Sequence, residues 1–115
     1  MAAELPNGER KTKTLAVQIQ PARSPMLNWS EMVDLLHGLS EGSGTNEGDD
    51  EGQYINVYLK AVDVRGVWLQ VQRLLSENPE FASAAIVTCQ GDSGWDDYLL
   101  LHHFNPAEPL DAFSD

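Results

Sequence analysis

Eighteen acidic against seven basic residues give this 115-residue chain a formal charge of −11, which argues against direct nucleic-acid binding, since phosphate contacts need lysine and arginine. The length suits one domain with one core, and 42% hydrophobic residues with three tryptophans exclude a wholly disordered chain. The only cysteine, Cys89, excludes an internal disulfide and the paired-cysteine zinc patterns, and no apolar stretch has the length of a signal-peptide core or a membrane span; a cytoplasmic location without membrane attachment is the expectation.

Residues 1–13 mix Pro6, Gly8 and charges without periodicity and read as a disordered leader before a single domain over 14–105, with 106–115 as a tail. Leu15, Val17 and Ile19 alternate with Ala16, Gln18 and Gln20, the period of a half-buried strand, and Pro21 closes it. Trp29, Met32, Val33, Leu36 and Leu39 share one helical face, with Asn28 or Ser30 as cap. The stretch 41–52, with four glycines, five carboxylates and nothing apolar, reads as a mobile acidic loop. Its adjacent Asp49, Asp50 and Glu51 lack the alternate spacing of a calcium loop.

A second strand follows from the alternation of Ile55, Val57, Leu59 and Ala61 with Tyr54, Asn56, Tyr58 and Lys60. Val64, Val67, Trp68, Val71, Leu74 and Leu75 then recur at three- and four-residue steps, predicting a helix capped by Asp63 and ended at Asn78-Pro79. Residues 83–90 and 98–104 read as a hairpin around the glycine-containing turn 91–94. The order β-α-β-α-β-β predicts an α+β, two-layer sandwich: a mixed four-stranded sheet, its first three strands parallel, with both helices on one face. A further short strand near the acidic loop would make it ferredoxin-like.

The candidate binding residues are Trp95, Asp96, Asp97 and Tyr98, two aromatics around two carboxylates, together with Tyr54 and Tyr58 on the helix-free sheet face, where a homodimer could also form. All seven basic residues fall between Arg10 and Arg73, while the chain from Leu74 onward holds eight carboxylates and no lysine or arginine. That asymmetry points to a basic protein partner.

Candidate catalytic residues are His102 and His103, with Asp92, Asp96 or Asp97 orienting one imidazole. Adjacent histidines on a strand point to opposite faces and cannot share a metal without distortion, so neither a metal site nor a cofactor is expected. Residues 89–94 resemble the nucleophile segment of chymotrypsin-like serine proteases, with Ser93 as nucleophile, but Trp95 follows where that family continues Gly-Pro. Residues 94–98, with the order of elements, resemble bacterial regulators of ribonuclease E over five residues, a length that assigns no family. The reading is therefore a small acidic interaction module, an inhibitor or regulator of a basic protein. The alternatives are a hydrolase or isomerase with a His/Asp site near the 91–103 hairpin, or a ferredoxin-like ligand-binding regulatory domain.

Overall fold

The computed structural model describes residues 12–40, 42–48, 53–91 and 94–112. Over these, five strands form one open antiparallel sheet and three α-helices accompany it, an α+β fold. The elements are β1 (Lys13–Ile19), α1 (Trp29–His37), β2 (Gly42–Gly48), β3 (Tyr54–Ala61), α2 (Val64–Glu77), the single turn α3 (Pro79–Ala82), β4 (Ala85–Gly91) and β5 (Gly94–His102), with a 3₁₀ turn at Pro21–Arg23. Spatial order in the sheet is β2-β3-β1-β4-β5.

Period-two alternation puts Leu15, Val17 and Ile19 of β1, Ile55, Val57 and Leu59 of β3, and Ala85, Val87 and Cys89 of β4 on one face, each at most 1% exposed. Met32 and Leu36 of α1, Val64, Val67, Val71 and Leu75 of α2, and Phe81 of α3 complete that core. Both long helices start where the sequence signals it. The Asn28 side chain accepts from the Glu31 amide at 3.2 Å, and Asp63 Oδ1 accepts from the Gly66 amide at 3.1 Å. At the far end of α2, Asn78 Nδ2 donates to the Leu74 carbonyl at 2.9 Å, and Pro79 opens the next turn.

Three expectations are corrected. The sheet has five strands rather than four, because 42–48, read as a loop, is β2, paired with β3 in seven consecutive registers from Gly42↔Lys60 to Gly48↔Tyr54. Backbone pairing needs no apolar side chain, and the regular strand β3 supplies a partner for a segment that buries nothing of its own. The sheet is antiparallel rather than mixed. Each helix does join strands that run the same way, but a third strand lies between them: β3 separates β1 from β2, and β1 separates β3 from β4. Among the described residues, no helix is long and apolar enough to cross a membrane.

Candidate protein-interaction site

The helix-free face of the sheet carries a row of mutually bonded amides. Asn46 Nδ2 donates to the Tyr58 hydroxyl at 3.3 Å, Asn56 Nδ2 to Asn46 Oδ1 at 3.0 Å, Gln18 Nε2 to Asn56 Oδ1 at 3.3 Å and Gln20 Nε2 to Gln18 Oε1 at 2.8 Å. Arg23 continues the row by donating Nε to Gln20 Oε1 at 2.6 Å, and its guanidinium lies 3.6 Å from the centre of the Phe104 ring. These polar side chains satisfy one another across three strands, so the middle of the face is tied down rather than adaptable.

Beside this row is a groove of about 560 Å³ whose lining includes Tyr58, Lys60, Thr14, Gln90 and Trp95, with Gly42 and Gly44 at its β2 end. Its floor is fixed by the Thr14 amide, which donates to Gln90 Oε1 at 2.9 Å. Two of the six predicted binding residues, Tyr58 and Trp95, are thus brought to one concavity from strands far apart in sequence. Tyr54 is elsewhere: it pairs with Gly48, and its ring covers the place where a Cβ at Gly48 would be.

Trp95, Asp96, Asp97 and Tyr98 do not open an ordinary strand. Cys89 pairs with Leu99 and Gly91 with Gly94, so these four residues stand opposite Gln90 alone. Such a bulge re-aims side chains away from the pleat, and all four are exposed, Trp95 by 42% and Tyr98 by 53%. Gly91 makes room for it, because a Cβ there would overlap the Asp97 carbonyl oxygen and carboxylate. Gly94 turns the hairpin at φ +83°, the left-handed region that glycine enters without cost.

No family model, curated protein or solved structure matches the chain. Its function has to be read from the geometry.

Each of the two candidate catalytic histidines bonds a backbone group. His102 Nε2 donates to the Ala82 carbonyl at 3.0 Å, and His103 Nδ1 accepts from the Asn105 amide at 3.0 Å while its ring lies 4.4 Å from that of Phe104. Asp97 lies in the bulge of β5, five residues before His102, and is exposed. Asp92 and Ser93 lie outside the described residues. The groove beside His102 is lined by Trp68, Leu69, Gln72, Arg73 and Leu110 among others, with no carboxylate among the described lining residues. Cys89 is fully buried, and burial pushes its thiol pKa up against a smaller opposing pull from Lys13. Among the described residues, no cluster of three or more histidine, cysteine or acidic side chains could hold a metal ion.

One contact had no sequence signal. His37, at the end of α1, reaches β2 with both ring nitrogens: Nδ1 lies 2.7 Å from Ser43 Oγ and Nε2 2.7 Å from Thr45 Oγ1. A lone histidine six and eight residues from two hydroxyls has no recognisable periodicity until β2 is known to be a strand.

Proposed function

We propose that this chain is a small acidic protein-interaction module that binds a basic partner protein and thereby inhibits or regulates it. The observation that carries the reading is the bulge Trp95 to Tyr98, which presents two exposed aromatics and two exposed carboxylates together, next to the Tyr58–Trp95 groove. Aromatic side chains supply contact area at low entropic cost, and the aspartates, in a chain of charge −11, steer and select a cationic surface. The ferredoxin-like reading belongs with this proposal. It is supported by the strand order β2-β3-β1-β4 and the chain order β-α-β-β-α-β of the elements before β5, leaving aside the single turn α3. The hydrolase or isomerase reading lacks a comparable observation, since no carboxylate lines the groove beside His102 among the described residues.

The test is capture from cell extract on the immobilised chain at low and high salt, alongside the double variant Asp96→Asn/Asp97→Asn. The proposal expects a basic protein held by the parent at low salt, released at high salt and lost from the variant. Equal capture by parent and variant would rule out the bulge as the docking element.

A further inference from the structure

The two edges of the sheet are built differently. On β5 the register shifts twice, and residues beyond the strand close part of the edge: the Asp111 amide donates to the Leu100 carbonyl at 2.7 Å while Asp111 Oδ2 accepts from the Leu100 amide at 2.8 Å. Bulges and a covering segment are the usual means of keeping an edge from pairing with another chain. At the other edge, β2 runs through seven registers without a bulge and contains no proline, lysine or arginine. Among the described residues, the bonds that reach its backbone from outside the sheet are those of the Ser40 hydroxyl with the Gly42 amide and carbonyl.

This strand is also costly to keep. Its sequence, Gly-Ser-Gly-Thr-Asn-Glu-Gly, has poor strand propensity, and the residues from Ser43 to Glu47 are all exposed, so it adds nothing to the core. It is held by β3, by His37 on Ser43 and Thr45, and by Ser40. The glycines are only partly explained by internal packing. A Cβ at Gly48 would overlap Tyr54, whereas one at Gly44 would meet nothing within 4 Å. A regular strand without a bulge, its edge open among the described residues, is what pairing with an incoming backbone requires.

We infer that the outer edge of β2 is a strand-addition site for an extended segment of the partner protein, one carrying lysine or arginine at alternate positions. The inference rests on the basic-partner reading for the chemistry of the added strand. Every second side chain of such a strand falls on the helix side of the sheet, the side to which Glu47 projects and on which α1 carries the exposed Asp34 one turn before His37. In sequence, β2 is bracketed by Glu41 and by Asp49, Asp50 and Glu51. A second copy would bring the same carboxylate-rich stretch against itself, so like charges oppose self-pairing where a cationic strand is favoured.

The experiment uses the full chain and a synthetic eight-residue peptide alternating lysine with threonine, with a second peptide N-methylated at every other backbone amide. Amide exchange across the chain and equilibrium affinity are read for both. Expected are slowed exchange over 43–48 with the first peptide, at least tenfold weaker binding of the N-methylated one, and loss of binding in Glu47→Lys, with circular dichroism confirming that this variant is folded. No binding, equal binding of the two peptides, or protection confined to β5 would overturn the inference. The failures are separable: if only the bulge reading is wrong, the peptide result at β2 stands while Asp96→Asn/Asp97→Asn captures partner as the parent does, and if only the edge reading is wrong, the peptides fail while that variant still loses the partner.

Discussion

Gly91 and Gly44 are the same residue type under opposite constraints. At Gly91 a methyl group collides with the backbone of the bulge, which cannot swing aside as a side-chain tip can, while at Gly44 it enters open space. Gly91→Ala is therefore expected to destabilise the fold by about 1–3 kcal/mol and to displace Trp95, whereas Gly44→Ala should be neutral or stabilising by up to about 1 kcal/mol. Urea unfolding of the two variants checks both signs. Cys89 offers a second test at this scale. Because burial raises its pKa, the stability it contributes is fully present below the pKa of the unfolded thiol and is lost as pH rises through the folded value. Wild type should lose more stability between pH 7 and 10 than Cys89→Ala, although the variant is the weaker of the two at pH 7 through lost packing. Parallel slopes would mean that the buried thiol does not control the alkaline limit.

At the scale of elements, the helices and the central strands were legible because each has a face that must be buried. Val64, Val67, Val71 and Leu75, and the alternation of Ile55, Val57 and Leu59, are where periodicity placed them. The cap residues Asn28 and Asp63 were legible for the same local reason. What escaped sequence reading depends on backbone partners rather than side-chain pattern. β2 has no apolar residue to mark it, and a four-residue bulge against Gln90 appears only once the register on both sides is known. The binding residues were thus chosen by type, but the convergence of Tyr58 with Trp95, and the separation of Tyr54 from both, could not be read from spacing. His37 gives this scale its prediction. His37→Ala removes both hydroxyl contacts to β2, each worth roughly 0.5–1.5 kcal/mol. Amide exchange over 43–48 should then speed up several-fold more than exchange in β1 or β4. Uniform acceleration would show that His37 supports the whole fold instead.

At the scale of the whole molecule, an acidic chain closes part of one sheet edge with its own Asp111, leaves the other open among the described residues, and raises an aromatic and acidic bulge beside a groove on its helix-free face. Helices cover the opposite face, so the bulge and the Tyr58–Trp95 groove share the uncovered side, while Glu47 at the open edge projects on the helix side. A homodimer stacked through the same face would compete for Trp95 and Tyr58, so adding partner should shift any dimer toward a 1:1 complex in sedimentation velocity. The most direct measurement is the affinity of the captured partner as a function of salt, for the parent and for Asp96→Asn/Asp97→Asn. About tenfold weaker binding of the variant is expected at low salt, with a shallower dependence of log Kd on log salt concentration. Identical affinity and slope for the two proteins would contradict the claim that the acidic bulge docks a basic partner.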